Sequence, residues 1–341
     1  KKFKKKVSDY YSLKKLSPSY QVVFKNNEKI NISDDFETIK QTFEQEEQGS
    51  GEVLQEFIDD AKIKYDVGMN GFVQKPSLSI KEFLSWEILV KGLKLSLFKP
   101  ISKVVRAKFK SEKIRQILEF PVLFLGAKPS KIPALYSLMN YADLKLGTWY
   151  PMGGMENISQ SFYKLAVELG VKFHFNAATT SIESQKGKVK SITINHLKKI
   201  DVDVLISGAD YAFTEQLLKP SDRNYSDDYW KKKTFAPSSI LFYLGVNKKV
   251  KNLHHHNLFF DESFDQHASE IYDHPKWPSK PLFYVCAPSK TDQTVAPENC
   301  ENLFVLIPLA PGLKDTSEEQ EAVFNKVLDR LEKHTNTDIR N

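Results

Sequence analysis

The stretch Gly147-Thr-Trp-Tyr-Pro-Met-Gly-Gly-Met155 decides the fold, because it predicts a glycine turn that leads into a helix and then into a strand. Gly153 and Gly154 lack a Cβ, so the backbone of the turn can approach a ligand closely. Apolar residues follow at helical spacing: Ile158, Phe162, Leu165, Ala166 and Leu169. Gly170 predicts the end of this helix, and Val171–Phe175 alternates apolar and polar residues as a strand does.

This nine-residue string, with the helix and strand after it, resembles the carotenoid desaturase family of flavin enzymes, whose members carry a Trp/Tyr-Pro-x-Gly-Gly-Met/Thr element before the same helix. Further segments resemble the family in the same order along the chain: Phe120–Pro129, Ile132–Leu138, Leu253–Phe260, Ala287–Asp292 and Val295–Glu298. The likeness is strongest to bacterial phytoene desaturases, which perform several successive dehydrogenations.

The resemblance implies an α/β (α+β) class with an FAD-binding, Rossmann-like flavoprotein fold, a mixed β-sheet substrate domain and a helical membrane-facing subdomain. Such flavoproteins open with a strand, a Gly-x-Gly-x-x-Gly turn and a helix, because the FAD pyrophosphate binds N–H donors at a helix N-terminus. That pattern does not occur in these 341 residues. We therefore expect an internal portion of a longer protein, with an incomplete flavin domain.

Five segments are expected along the chain. They are substrate-domain strands in 1–34, a helical membrane-associated subdomain in 35–120, part of the FAD-binding domain in 121–218, the substrate-binding sheet in 219–310, and a helix returning toward the FAD domain in 311–341. Within them, Tyr20–Phe24 and Lys29–Ile32 predict a hairpin across two asparagines. Helices are predicted on either side of Gln48–Gly51, and Ser317–His334 predicts a helix with one apolar face.

By resemblance, the cofactor FAD is expected to contact a small set of positions. They are Gly153, Gly154, Thr179, Ser207, Gly208, Ala209 and Asp210. Asp203–Asp210 predicts a short apolar strand that ends in a helix, which brings backbone to a ligand at the carboxyl end of a sheet. Without the resemblance, Gly208 would be a plain turn glycine. The family often has Asn where Gly208 stands. Glycine has no side chain to contact FAD, so only a contact through its backbone is expected here.

Composition narrows the function classes. The chain has 49 basic and 43 acidic residues, a net charge of +6, and 41% hydrophobic residues. No basic stripe with base-stacking spacing is evident, so nucleic acid is not expected as a partner. Two cysteines, Cys286 and Cys300, do not make a disulfide framework, which favours a reducing cytoplasm.

Residues 83–110 interleave apolar side chains with lysines, and Glu87 is the sole acid among them. Charges every few residues exclude a spanning helix, whereas the pattern fits a helix lying in the headgroups of an anionic membrane. The predicted membrane-facing residues are Trp86, Lys91, Lys94, Leu97 and Phe98. The alternative is an ordinary helical subdomain with snorkelling lysines. We expect a peripheral membrane protein on the cytoplasmic side.

One arginine is the candidate for a catalytic role. The family places an acidic residue and an arginine before its Phe-x-x-Leu-Phe-like segment; Arg115 matches the arginine, whereas Ser111 stands at the acidic position beside Glu112. The alternative for Arg115 is a surface arginine on an amphipathic helix. No metal is expected at His254–His256, because consecutive histidines on an extended chain point to alternate faces.

The activity that the resemblance implies is FAD-dependent desaturation of phytoene to more conjugated carotenoids such as lycopene. Three strands are predicted to wall the apolar pocket or to form core: Ser238–Val246, Leu282–Val285 and Leu303–Leu309. Two alternatives within the class stay open, a hydroxycarotenoid desaturase and a retinol saturase-like oxidoreductase. A third alternative is a lipid-binding module without catalysis.

Overall fold

The computed structural model describes residues 3–69, 73, 79 and 99–340. They form two units, Lys1–Ser161 with Ala236–Asn341, and Phe162–Phe235. The helices are α1 (Phe36–Glu46), α2 (Ser50–Val67), α3 (Ile101–Lys108), α4 (Glu112–Glu119), α5 (Leu138–Tyr141), α6 (Glu156–Glu168), α7 (Tyr211–Gln216), α8 (Asp227–Lys231), α9 (Phe264–Tyr272) and α10 (Ser317–Thr335). The strands are β1 (Leu13–Lys15), β2 (Tyr20–Val23), β3 (Lys29–Ile32), β4 (Trp149–Pro151), β5 (Thr179–Gln185), β6 (Lys188–Ile194), β7 (Lys198–Asp201), β8 (Ser238–Val246), β9 (His256–Phe259), β10 (Phe283–Cys286) and β11 (Glu301–Leu309).

The first unit is built on a six-stranded mixed sheet in the order β3-β2-β9-β10-β11-β8, which confirms the predicted α+β class. β2 runs parallel to β9, where Gln21 pairs with Asn257, and the other neighbours are antiparallel. The predicted hairpin of β2 and β3 is confirmed. Asn26 and Asn27 form its turn with φ of 58° and 61°, a conformation that asparagine tolerates.

The two faces of this sheet differ in burial. One face packs its alternate side chains against Val323, Val327, Leu328 and Leu331 of α10, so the predicted apolar face of that helix is confirmed. On the opposite face, Leu258, Tyr284 and Leu306 are register partners and are only partly buried. This second face is therefore the one that has room for a ligand.

A helical layer in the first unit packs around three phenylalanines. Phe109 makes edge-to-face contacts with Phe43 of α1 and Phe57 of α2, at centroid distances of 6.5 and 6.3 Å. Asp35 begins α1 by accepting the Thr38 N–H at 2.9 Å. The left-handed Gly49 separates α1 from α2, which confirms the predicted break.

The second unit contains the antiparallel sheet β5-β6-β7 and the helices α7 and α8. Ile182 of β5 is buried, and its N–H bonds to the Leu217 carbonyl at 2.8 Å after α7. The Glu215 carboxylate accepts the Asn224 N–H at 2.8 Å and the Trp230 indole N–H at 3.3 Å. These bonds hold the segment between α7 and α8 in place.

Two strands predicted for this unit were wrong. Within residues 3–69 and 99–340, neither 171–175 nor 203–206 has a ladder partner, and β5, β6 and β7 pair with one another. Apolar side chains in both segments are exposed, Phe175 by 72% and Ile206 by 90%. Apolar alternation describes a strand's side chains, but a strand forms only where a neighbour satisfies its backbone N–H and C=O groups.

The predicted membrane-facing residues Trp86, Lys91, Lys94, Leu97 and Phe98 lie outside the described residues. Within the part of the chain that the structure describes, the helices are all too short or too polar to cross a bilayer. Contact with a membrane surface therefore stays a prediction.

Candidate functional site

The Gly-Gly turn, residues 151–155, joins β4 to α6. Gly153 and Gly154 have φ of 85° and 96°, in the left-handed region where other residues are strained. A Cβ on Gly153 would lie 2.1 Å from Asn157 Nδ2, which donates to the Met152 carbonyl at 2.7 Å. The conformation therefore favours glycine at position 153, and a Cβ there would also displace the Asn157 side chain from its bond to the Met152 carbonyl.

Asp292 fastens this turn to the loop between β10 and β11. Its Oδ2 accepts the Gly153 N–H at 2.6 Å, and its Oδ1 accepts the N–H and the hydroxyl of Thr294 at 2.9 and 2.6 Å. Burial disfavours the charge, but the hydrogen bonds from Thr294 and Gly153 outweigh it and lower the pKa of Asp292. Sequence reasoning missed this contact, because the partners are 139 residues apart; the one signal was the place of Asp292 at the end of a family-like segment.

A pair of histidines lies beside the turn. The Tyr150 ring is 4.6 Å from the His255 ring, which is 4.4 Å from the His256 ring. His255 Nδ1 is 2.8 Å from Thr291 Oγ1, and His256 Nδ1 is 2.6 Å from Tyr284 Oη. Contacts therefore run from Tyr150, directly before the turn, to Tyr284. Tyr284 lies on the partly buried face of the sheet, hereafter the open face, with Leu258 and Leu306.

The prediction that these histidines point to alternate faces was wrong. Asn257 folds the chain back, because its Oδ1 accepts the His254 N–H at 2.9 Å and its Nδ2 donates to the His254 carbonyl at 2.8 Å. The ligand atoms of His255, His256 and Cys286 consequently lie within 4.8 Å of one another. The absence of a metal stays a prediction.

Burial keeps this group of side chains uncharged near neutral pH. It lowers the pKa of His255 to about 3, with help from His256, and that of His256 to about 4. Burial also raises the pKa of Cys286 and of Tyr284. Burial and the negative charge of Asp292 raise the pKa of Tyr150 to about 12.

The hydroxyl of Tyr150 is buried without a hydrogen-bond partner among the described residues. It lies 3.9 Å from where a Cβ on Gly154 would stand. A buried hydroxyl that makes no hydrogen bond is costly. A buried polar atom therefore lies directly beside the glycine turn, with the Asp292 carboxylate as its charged neighbour.

An apolar cavity of about 300 Å³ opens on the same side of the sheet. Its lining includes Phe120, Leu123, Leu258, Phe264, Tyr284 and Leu306. Aromatic contacts continue across the open face from Tyr284 to Phe304 at 6.2 Å and from Phe304 to Tyr243 at 5.3 Å. Tyr284 lines the cavity and also bonds to His256. The apolar space therefore ends at the uncharged side chains of Tyr284, His256 and His255.

The remaining predicted cofactor residues lie in the second unit. Thr179 begins β5, and Ser207 Oγ lies 2.7 Å from Thr214 Oγ1 of α7. Asp210 caps α7 by accepting the Phe213 N–H at 2.9 Å. Gly208 and Ala209 are exposed, and a Cβ on Gly208 would meet nothing within 4 Å. The predicted helix after this segment is confirmed, and the contact with a cofactor stays a prediction.

Arg115 lies on α4, where its Nε donates to the Phe109 carbonyl at 2.7 Å and its Nη1 is 3.4 Å from Glu112 Oε2. Ser111 begins the same helix, and its N–H donates to Glu47 Oε2 at 2.6 Å. These contacts stabilise the turn between α3 and α4. A catalytic role for Arg115 stays a prediction.

Comparison with known proteins places the chain in a family. The family model described as flavin containing amine oxidoreductase matches residues 9–334. The chain is 36% identical to a carotenoid 3,4-desaturase from Haloarcula japonica over 340 residues, 99% of this chain and 68% of the relative. It is 27% identical to a zeta-carotene-forming phytoene desaturase from Myxococcus xanthus, over 89% of this chain and 59% of the relative.

A solved structure shares the fold. An oxidoreductase from Methanosarcina mazei aligns with a TM-score of 0.57 at 15% sequence identity, over 95% of this chain and 67% of that one. Against the two curated relatives, the chain spans 59% and 68% of their lengths.

These matches confirm the class of flavoprotein oxidoreductase and the cofactor FAD that the Gly147–Met155 string predicts. They extend over both units described above. The chain belongs to the flavin containing amine oxidoreductase family and, within it, to the carotenoid desaturases.

Proposed function

We propose that the full-length protein desaturates a carotenoid, with FAD as the hydride acceptor. The proposal rests on one observation, the row of contacts that joins the apolar cavity to the Gly-Gly turn. Tyr284 lines the cavity and bonds to His256; the His256 ring lies 4.4 Å from that of His255, which in turn contacts Tyr150. An apolar substrate in the cavity would therefore end near the turn that receives the flavin.

Desaturation breaks two C–H bonds on neighbouring carbons and forms a C=C bond. One hydrogen leaves as hydride and the other as a proton; FAD supplies the hydride acceptor when bound. The protein's part is to hold the substrate in register and to exclude water. Leu258, Phe264 and Leu306 suit this task, because a hydrocarbon has no hydrogen-bonding group and is selected by the shape of its pocket.

We propose that the flavin packs against the Gly-Gly turn, and the backbone geometry of the turn supports this proposal. The Gly153 N–H is taken by Asp292, and the Gly154 N–H bonds to the Pro151 carbonyl at 3.1 Å. The turn therefore has no free N–H donor at Gly153 or Gly154 for the flavin. It lets the flavin approach the backbone closely, and the Tyr150 hydroxyl lies beside it. In the second unit, we propose Thr179 and the segment 207–210 as further cofactor contacts.

Phytoene is the proposed substrate, as the resemblance implies, and a hydroxylated carotenoid is the second candidate. The second candidate is favoured by polar groups beside the turn, namely the buried Tyr150 hydroxyl near Asp292 and the neutral imidazoles next to it. A substrate hydroxyl would offer such groups a hydrogen bond in addition to those with Thr291 and Tyr284, whereas a pure hydrocarbon offers none. A retinoid would present a hydroxyl too.

We also propose that the protein docks on a cytoplasmic membrane surface through residues 83–98 of the lysine-bearing segment, because Ile101, Val105 and Phe109 of its second part are buried in the helical layer of the first unit. One support is the sequence of the segment, which alternates apolar residues and lysines. The other is the substrate, because a carotenoid dissolved in the bilayer has to be withdrawn from the bilayer. Flotation of the full-length protein with anionic and with neutral vesicles tests this point. Equal recovery in the absence and the presence of anionic vesicles would refute it.

The activity is tested by expressing the full-length gene in a bacterial host that accumulates phytoene, with chromatography and absorbance spectra of the carotenoids. Coloured products establish desaturation and show how many double bonds are introduced. Unchanged phytoene from a protein that carries flavin shifts the assignment to a hydroxycarotenoid or a retinoid, which is then supplied in the same host. A protein that takes up no flavin would be the lipid-binding module.

A further inference from the structure

The loop of residues 287–295, which carries Asp292, is braced against the sheet. The Ser289 N–H donates to Asn302 Oδ1 at 3.1 Å, and Asn302 Nδ2 donates to the Val295 carbonyl at 3.1 Å. Asn302 of β11 thus bonds to both halves of the loop. The loop that carries Asp292 is therefore held by the sheet independently of the turn that Asp292 contacts.

A second brace comes from charge. Lys290 Nζ lies 2.8 Å from Glu301 Oε1, and the Glu301 side chain is only 1% exposed. Ser289 also donates its hydroxyl to Glu301. A buried carboxylate paired in this way is strongly held, because removing either partner would leave a buried charge or donor unpaired.

The Gly-Gly turn has the Gly154 N–H bond to the Pro151 carbonyl within it, and it receives further support from outside. Two successive residues in the left-handed region are costly to order, since glycine loses more conformational freedom than other residues on folding. The Gly153 N–H is directed away from the turn to Asp292, 139 residues along the chain. That bond to a charged acceptor is of the stronger kind.

The carboxylate itself is not free to react. Asp292 is 1% exposed, and both of its oxygens accept hydrogen bonds from Gly153 and Thr294. An asparagine at this position would have a single acceptor oxygen, so it could not serve both sides. This geometry suits Asp292 to stabilise the turn, and not to react with the substrate.

We propose that Asp292 is a positioning residue that keeps the Gly-Gly turn in the conformation that receives the flavin, an inference that rests on the proposed function of that turn. The sheet holds the loop, the loop holds Asp292, and Asp292 holds Gly153. Flavin affinity is therefore set partly by a side chain that the flavin does not touch.

The test compares Asp292→Asn and Asp292→Ala in the full-length protein with the wild type and with Asp273→Asn. Asp273 is a matched control, because it is a partly exposed carboxylate paired with Lys128 at the end of α9. FAD affinity is measured by quenching of flavin fluorescence, and amide exchange in the peptide that covers 148–156 is followed by mass spectrometry without FAD. Circular dichroism shows whether each variant folds.

We expect the Kd for FAD to rise about tenfold in Asp292→Asn and further in Asp292→Ala, as loss of one hydrogen bond to a charged group predicts. Exchange in 148–156 should become faster in both, and Asp273→Asn should match the wild type in both readouts. An unchanged Kd or an unchanged exchange rate in a folded Asp292 variant overturns the inference. If neither Asp292 variant folds, Thr294→Val removes the hydroxyl donor to Asp292 Oδ1 and keeps the backbone donor and the Gly153 bond, so the Kd and the exchange rate should stay unchanged. A change in both would overturn the specific role of the Gly153 bond.

Failure of the proposed function has a different signature. In that case the wild type takes up FAD and the Asp292 variants take up less, yet no carotenoid is converted in the host. Asp292 variants that bind FAD as tightly as the wild type, although carotenoid is converted in the host, would instead count against the role of Asp292 alone.

Discussion

The Tyr20 hydroxyl donates to Asp143 Oδ2 at 2.7 Å and joins β2 to the segment that precedes β4. Burial raises the pKa of Asp143 to about 6, against the stabilising effect of the Tyr20 hydrogen bond on its charged form. Tyr20, itself buried, has its pKa raised well above the usual value by burial and then by Asp143. This pair places a titratable carboxyl inside the helical layer of the first unit.

The pair predicts a pH dependence. A raised pKa in the folded state means that folding favours the protonated carboxyl, so its contribution to stability is present below about pH 4 and is lost as pH rises through about 6. Asp143→Asn keeps an acceptor for Tyr20 without the charge. It should raise the free energy of unfolding by about 2 kcal/mol at pH 8 and change it little at pH 4. Denaturant unfolding at the two pH values measures this.

Tyr20→Phe is the companion variant, since it removes the donor and leaves the carboxylate. It should destabilise the protein more at pH 8 than at pH 4, the reverse of the asparagine variant. Equal effects of Asp143→Asn at both pH values would contradict the raised pKa.

His256 predicts a dependence of the opposite sign. Its pKa is lowered to about 4, so the neutral form in the folded protein contributes stability above about pH 6.5 that is lost as pH falls toward 4. His256→Gln keeps a hydrogen-bonding partner for Tyr284 and removes the titration. The stability that the wild type loses between pH 7 and pH 5 should shrink in the variant by about 2 kcal/mol. Thermal unfolding at those pH values checks it, and an identical loss would show that His256 is not the titrating group.

Gly153→Ala should lower the free energy of unfolding by about 2–4 kcal/mol, the sum of left-handed strain and a clash with Asn157. Gly187→Ala is the matched control, because Gly187 has a φ of 73° and open space around it. It should cost only about 1 kcal/mol, from strain alone. The double variant Gly153→Ala with Asn157→Ala should recover the difference between the two. No recovery would mean that the clash is not the cause.

Leu306→Trp should fill the apolar cavity and lower turnover of a carotenoid by about tenfold, while the Kd for FAD stays unchanged. Leu241→Trp provides the control, since Leu241 pairs with Leu306 on the same face but is 39% exposed. Product formation per bound flavin, measured with substrate in micelles, distinguishes the two. Equal turnover in both variants would exclude the cavity as the substrate site.

Local signals carried most of what the sequence predicted correctly. The hairpin of β2 and β3, the helix α10 and the helix after Gly154 each follow from residues close together in the chain. The Gly-Gly turn could be found for the same reason. Such signals fix an element's type and position without its partners.

The contacts that could not be predicted from the sequence join residues that are far apart in the chain. The bond from Gly153 to Asp292 and the row from Tyr150 to Tyr284 arise from strands that the fold brings together. The strand predicted for 171–175 was wrong for the converse reason. It was predicted from the alternation of apolar and polar residues, which does not show whether a neighbouring strand is present. The histidine pair failed because the Asn257 side chain bends a backbone that was taken to be extended.

The parallel pairing of Gln21 with Asn257 has a consequence for synthesis on the ribosome. The β2-β3 hairpin leaves the ribosome before β9, so one edge of β2 stays without its neighbour until β9 has left the exit tunnel. A nascent chain that long displays an open strand edge, which invites pairing with other chains. Chaperones that cover this edge during synthesis should therefore raise the yield of folded protein.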